Sequence, residues 1–291
     1  MTQNRNGRGI VLMLVSMAAF AIADSLVKFS SSSISPAQVM LLLLVSAFLM
    51  YLPLTLYRGD SLVDRRFLEP IFLLRYLAEI SGMVGMVNAL ALVPLATVGA
   101  ITQAVPIIVA VGAALFLSEK ISWRRWTSIF VGFAGVLLIV QPGAEGFDIM
   151  VLWAVLAMIS LSVRDLTTRM IAPDISSVCL ATFTMIATIP VAVCWVLWEG
   201  QTLLPHDPDW LVILPMVTLG SLGYLLLTAA MRMAEVSVVT PFRYSRVLFL
   251  IVLGLVMFGE QPGPQTLVGA VLIIASGTYM TWREHQLKRN A

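Results

Sequence analysis

Long apolar runs separated by short polar stretches dominate the chain. Windows of about 20 such residues, the length that spans roughly 30 Å of hydrocarbon as a helix, cover Ile10–Phe29, Ala37–Tyr57, Pro70–Leu92, Ala96–Leu117 and Trp123–Val140. A second set covers Ile149–Thr168, Ser177–Trp198, Trp210–Met231, Val236–Phe258 and Pro264–Trp282. The runs do not alternate with period two, so a membrane β-barrel is a poor fit. The pattern predicts an all-α polytopic membrane protein of ten transmembrane helices. The longest polar stretches, Arg58–Glu69 and Gly200–Asp209, are too short for a soluble domain. Chemistry is therefore expected inside the bundle or at its mouths.

The chain also resembles itself at a shift of 141 residues without a gap, which sets Asp24 on Asp165, Gly82 on Gly223 and Glu119 on Glu260. Two units follow, 10–141 with helices one to five and 149–282 with helices six to ten. The stretch Gln141-Pro142-Gly143-Ala144-Glu145-Gly146 joins them, its proline and glycines ending the fifth helix. Five crossings are an odd number, so the second unit enters the membrane upside down relative to the first. Inverted repeats of this kind are a hallmark of alternating-access carriers.

Composition agrees: 59% hydrophobic residues against 12% charged, with a mean hydropathy of +0.93, excludes an ordinary soluble surface. With the N-terminus placed in the cytoplasm, the inner segments carry Arg5, Arg8, Arg58, Arg65, Arg66, Lys120, Arg124, Arg125, Arg169, Arg232, Arg283, Lys288 and Arg289, and the outer side only Lys28. This positive-inside bias predicts a bacterial-type inner (plasma) membrane protein with both termini cytoplasmic. The net charge of +2 is then a matter of topology and gives no reason to expect nucleic acid.

Arg5, Arg8 and Ala21-Ile22-Ala23 imitate a cleavable secretory signal. Cleavage would orphan the repeat partner, Val151–Arg169, so the segment is read as a retained helix. Cys179 and Cys194 lie fifteen residues apart on one helix, too far to pair. Metal-ligand spacing is absent, and the sixteen methionines read as adaptable packing. A GxxxxGK[ST] phosphate loop is missing, which argues against ATP as the direct energy source.

Ionised side chains inside a bilayer are costly and usually face a cavity, a partner or the interface. Seven candidates occur: Asp24, Arg75, Glu79, Arg164, Asp165, Arg243 and Arg246. Asp24 with Lys28, and Asp165 with Arg169, are i,i+4 pairs toward helix ends, where local pairing and snorkelling suffice as an explanation. Arg75 and Glu79 lie one turn apart on a face continued by Gly82 and Met86; they read either as a cavity wall or as a self-neutralising pair that fixes packing. Thr240-Pro241-Phe242-Arg243-Tyr244-Ser245-Arg246 places two guanidinium groups three residues apart after a helix-bending proline. Pro106, within Gln103-Ala104-Val105-Pro106, is expected to supply a second bend.

Four cations against three anions leave an unpaired positive charge, so the implied substrate carries a carboxylate, phosphate or other electron-rich group. Tyr76 and Tyr244 can stack on a ring or donate a hydrogen bond, although packing explains each alone. Glu119 and Glu260 end the fourth and ninth helices at opposite faces, as gates or as helix-end contacts. Gly82, Gly85, Gly132, Gly135, Gly254 and Gly269 are expected at close helix contacts.

The segment Pro94–Glu119, ending Phe116-Leu117-Ser118-Glu119, and its counterpart Pro241–Glu260, ending Phe258-Gly259-Glu260, resemble the EamA-type carriers of the drug/metabolite transporter superfamily. The resemblance covers nearly the whole chain. It implies two five-helix EamA domains around a central substrate cavity, secondary transport or exchange, and no metal or organic cofactor. Leu74-Arg75-Tyr76 with Phe242-Arg243-Tyr244 looks like the branch containing S-adenosylmethionine and riboflavin carriers; amino-acid exporters share the architecture.

The expected mechanism is rocking of the two halves about hinges near Pro106 and Pro241. Arg75, Tyr76, Glu79, Arg243, Tyr244 and Arg246 would hold a ring-bearing, zwitterionic or anionic metabolite. Asp24, Asp165, Arg164, Glu119 and Glu260 would couple or gate, with a proton or counter-substrate as coupling partner and the lipid bilayer as surroundings. The rival from another class is an intramembrane enzyme, with His206 and His285 as its histidines; HExxH and a nucleophile elbow are both absent. A channel would show filter or charge-ring segments.

Overall fold

The computed structural model describes residues 2–61, 65–116, 123–142, 148–171, 175–233 and 239–289. Eleven α-helices occur among them: α1 (Thr2–Ser30), α2 (Pro36–Tyr57), α3 (Pro70–Leu92), α4 (Leu95–Thr102), α5 (Val105–Phe116), α6 (Trp123–Val140), α7 (Val151–Met170), α8 (Ser177–Trp198), α9 (Trp210–Met233), α10 (Ser245–Phe258) and α11 (Pro264–Arg289). A 3₁₀ turn, Thr240–Tyr244, leads directly into α10. Eight segments are long and apolar enough to cross a membrane; the apolar parts of α6 and α11, Trp126–Val140 and Pro264–Tyr279, are shorter.

Local chemistry sets the helix ends. Ser35 caps α2 in a reciprocal pair with Gln38, each accepting from the other's backbone N–H at 3.3 Å, and Pro36 follows where its missing N–H costs nothing. Ser176 caps α8 through the Cys179 N–H at 3.1 Å. At the end of α10, Gly259 adopts φ +65°, a left-handed conformation that glycine enters without a Cβ clash. The Glu260 N–H then returns to the Gly254 carbonyl at 3.0 Å, folding Glu260 back against the helix it ends.

The fourth apolar window is two helices. Its break falls at Gln103–Ala104, between α4 and α5. Pro106 is the second residue of α5, a position where its lack of an N–H is tolerated. Pro241 likewise sits in the 3₁₀ turn that opens the α10 segment. Both prolines begin helical segments, whereas the sequence suggested kinks within continuous helices. Among the described residues, Pro53, Pro190 and Pro215 lie inside helices.

The helices pack as α1 on α9, α3 on α7, α2 on α8 and α6 on α11, with α10 against α1 and α4 and with α5 against α7. Glycines allow the closest of these approaches. A Cβ on Gly85 of α3 would lie 2.8 Å from the Ala157 nitrogen and 2.9 Å from the Trp153 oxygen of α7. One on Gly135 of α6 would lie 2.8 Å from the Gly269 oxygen of α11. Gly82 and Gly132 also meet neighbouring helices, whereas Gly254 faces the side chain of Glu260. Interior side chains such as Met40, Leu90, Ile101, Ile213, Met216, Leu250 and Ile273 are fully buried, while Leu211, Val256 and Trp198 stand exposed on the outside. An apolar exterior around a packed interior is what a hydrocarbon solvent favours.

Candidate functional site

The α3–α7 contact brings together charges that are far apart in sequence. Arg75 and Glu79 of α3 are both buried, at 8% and 7% exposure. They do not neutralise each other directly. Glu79 Oε1 lies 3.5 Å from Nη1 of Arg164 on α7. Arg75 instead donates from Nε to Thr168 Oγ1 at 3.0 Å and from Nη1 to Thr184 Oγ1 on α8. Both threonine hydroxyls donate at 2.7 Å to carbonyls one turn back, Arg164 and Leu180, which leaves their lone pairs for the guanidinium. Arg164 also donates from Nε and Nη2 to Asp165 Oδ1, at 3.0 and 2.8 Å. Asp165 is thus held by its sequence neighbour, and the side chain of Arg169 lies outside the described residues.

Beside this cluster is a cavity of about 240 Å³, lined by Val105, Pro106 and Val109 of α5, Asp165 and Thr168 of α7, and Arg243 of the 3₁₀ turn. Among the described residues Arg243 makes no hydrogen bond, and no carboxylate lies within the 4.0 Å that defines an ion pair. Of the carboxylates in the ion pairs, that of Asp165 is the most open, at 35% against 9% for Glu79. The cavity is therefore lined by one uncommitted arginine, one half-engaged aspartate, a threonine and an apolar wall.

A second set of charges joins α1 to α10. Arg246 donates from Nε and Nη2 to Asp24 Oδ2 at 3.0 and 2.5 Å, and its guanidinium lies 5.2 Å from the Phe20 ring centroid. Lys28 Nζ sits 3.0 Å from Glu260 Oε1 and donates to the Val93 carbonyl at 2.8 Å. The other carboxylate oxygen of Glu260 accepts the Leu95 N–H, the first of α4, at 2.8 Å. A carboxylate at a helix N-terminus is favoured by the unpaired N–H groups there. Asp24 and Lys28 are therefore not a local pair: each reaches an opposite charge on the α10 segment. Glu119, the repeat partner of Glu260, lies outside the described residues.

Tyr76 and Tyr244 are both buried. Tyr76 donates to the Phe67 carbonyl at 3.2 Å in an aromatic cluster where Phe67 stacks on Phe183 with centroids 3.9 Å apart. Tyr244 is 4% exposed, its ring packs against Gly277, and its hydroxyl finds no hydrogen-bond acceptor among the described residues. Thr168, Thr184, Lys28 and the Leu95 amide are the participants that sequence reasoning missed. A signal for Lys28 was present, since the 141-residue shift carries it onto Arg169 just as it carries Glu119 onto Glu260.

A bundle of long apolar helices with a half-open, partly charged cavity fits a membrane transporter of small molecules. The sequence pattern of the EamA-like transporter family matches residues 7–141 and 148–282. The chain belongs to that family. It is 27% identical over 282 residues to an S-adenosylmethionine uptake transporter of Rickettsia bellii, covering 95% of this chain and 94% of that one. A riboflavin transporter of Vibrio cholerae is 26% identical over 97% of this chain and 96% of its own. A pseudopaline exporter of Pseudomonas aeruginosa is 25% identical over 92% and 94%. A crystal structure covering 95% of this chain and 98% of its own superposes with a TM-score of 0.63 at 16% identity, a likeness of fold.

Proposed function

We propose that the protein is a secondary transporter that carries a small organic metabolite across a bacterial inner membrane by alternating access. Ten crossings arranged as two inverted five-helix repeats are the architecture of this reading, with α4 and α5 forming one crossing. The packing supports it: the repeat shift carries α1 onto α7 and α3 onto α9, so the α1–α9 and α7–α3 contacts are equivalent. The α2–α8 and α6–α11 contacts map onto themselves. That is the pattern of a pseudo-two-fold relation between halves. The three relatives described above are named as transporters or an exporter, which favours transport over intramembrane catalysis.

The observation that carries the reading is Arg243. An arginine kept inside a bundle without a counter-charge is expensive, and an anionic substrate group supplies what the fold leaves out. Arg243 is thus the substrate anchor, with Asp165 and Thr168 completing the polar wall. Arg75 and Glu79 hold this wall in place through Thr168 and Arg164. Arg246 serves structure through Asp24.

Lys28, Glu260 and the Leu95 amide form a latch at the outer face, given cytoplasmic termini. The Arg243 cavity lies toward the other end of the bundle, where α7 ends and the α10 segment begins. Rocking would break this latch and form its repeat counterpart, Glu119 with Arg169. The substrate is a metabolite of the S-adenosylmethionine or riboflavin kind, and an amino-acid or metabolite exporter of the same family is the second reading, favoured by the exporter among the relatives. Uptake and counterflow of S-adenosylmethionine and riboflavin by proteoliposomes test the proposal. Flux that is saturable in the wild type and lost in a correctly inserted Arg243→Ala variant supports it; equal flux in the variant removes the anchor.

A further inference from the structure

We infer that the cavity is a head-group site for a zwitterion of the α-amino-acid type, with Arg243 taking the carboxylate and Asp165, assisted by Thr168, taking the ammonium. The inference rests on the transporter reading above and narrows its substrate class.

Three observations lead there. The first is that the cavity's two charged side chains carry opposite signs but are not paired with each other: both line the same space, and Arg243 lies beyond 4.0 Å of any carboxylate among the described residues. Among those residues Arg243 has no partner and Asp165 has only one oxygen engaged, by Arg164, so a ligand with both signs can engage both at once. A simple anion would satisfy Arg243 alone.

The second concerns Asp165. Its Oδ1 accepts both hydrogen bonds from Arg164, while no hydrogen bond to Oδ2 occurs among the described residues and about a third of the side chain remains open. Arg164 fixes the carboxylate's position and leaves acceptor capacity toward the cavity. Thr168 lies one turn away at i+3, on the same face of α7, and lines the same space.

The third is size. At about 240 Å³ the cavity falls just below the range of roughly 300–1,000 Å³ typical of sites that enclose a whole drug-sized ligand. It suits the polar end of a metabolite, whose apolar or ring-bearing remainder would lie along Val105, Pro106 and Val109.

The repeat shift also shows that this arrangement belongs to one half only. The position equivalent to Arg243 is Thr102, and the carboxylate equivalent to Asp165 is Asp24, which Arg246 already occupies. A scaffold with two-fold pseudo-symmetry thus holds a single head-group site.

The test is ligand-dependent thermal stabilisation of the full-length protein in lipid nanodiscs. The probes are S-adenosylmethionine, its decarboxylated analogue, its 2-oxo analogue lacking the amine, L-phenylalanine and riboflavin. The expected result is that at least one zwitterion binds, and that removing either its carboxylate or its amine weakens binding about tenfold or more. Asp165→Asn should erase the preference for the amine and keep that for the carboxylate; Arg243→Gln should do the reverse. The wild-type ratios need no variant, so they decide the matter even where a variant folds poorly. A 2-oxo analogue or riboflavin that binds as tightly as the zwitterions, through Arg243, overturns the inference and leaves the transporter reading standing. No stabilisation by any probe overturns the inference together with the substrate assignment beneath it.

Discussion

Replacing Glu260 by alanine should open the end of the bundle that the Lys28–Glu260 pair closes. Glu260 makes two contacts, the ion pair to Lys28 at 3.0 Å and the Leu95 amide at 2.8 Å, and both charged side chains are only 15% and 14% exposed. Losing one partner of a fully buried pair costs about 3–5 kcal/mol, while exposed pairs contribute about 0–1. A largely buried pair at a helix end therefore stands at about 2 kcal/mol. If the contact exists in one access state only, that loss shifts the equilibrium between states roughly 30-fold. The assay is modification of a cysteine at Thr97, which is 8% exposed and two residues beyond Leu95, by a membrane-impermeant maleimide. Cys179 and Cys194 would be replaced by alanine beforehand. Labelling should accelerate by about the same 30-fold in Glu260→Ala and less in Glu260→Gln, which keeps an acceptor for the Leu95 amide. Adding Lys28→Met to Glu260→Ala should recover part of the change, because it removes the cation left uncompensated. An unchanged labelling rate in Glu260→Ala would refute the latch.

Gly85→Ala should lower thermal stability by about 1–3 kcal/mol, measured by fluorescence unfolding, because the added Cβ meets α7 backbone atoms that cannot move aside cheaply. Arg246→Ala should destabilise the protein by about 2 kcal/mol by leaving Asp24 uncompensated, and adding Asp24→Asn should recover part of that loss; a structural pair predicts the recovery, a substrate anchor does not. Thr184→Val should weaken transport several-fold through loss of the Arg75 hydrogen bond, read as a lower initial rate at unchanged protein level in the membrane.

The helical class and the repeat were legible because both are written in periodicities longer than any single contact. Apolar runs report the thickness of the bilayer directly, and the 141-residue shift survives in charged positions such as Glu119 and Glu260. Pairing within the bundle was not legible. Sequence spacing offers Asp24 only Lys28 and offers Arg75 only Glu79, yet α1 packs on α10 and α3 on α7, so the partners come from the other half: Arg246, Glu260, Arg164 and Thr168. The break in the fourth apolar window fell at Gln103–Ala104 because a proline fits the first turn of a new helix better than the middle of an old one. Arg243 was visible as an arginine after a proline. That it would be the cation left uncommitted beside Asp165 depended on where every other charge went.

The most direct test of the central claim is counterflow by purified protein in sealed proteoliposomes preloaded with unlabelled S-adenosylmethionine or riboflavin. Transient accumulation of the labelled compound in the wild type, absent in a folded Arg243→Ala variant, is the predicted result. Counterflow that persists unchanged in Arg243→Ala would contradict the account.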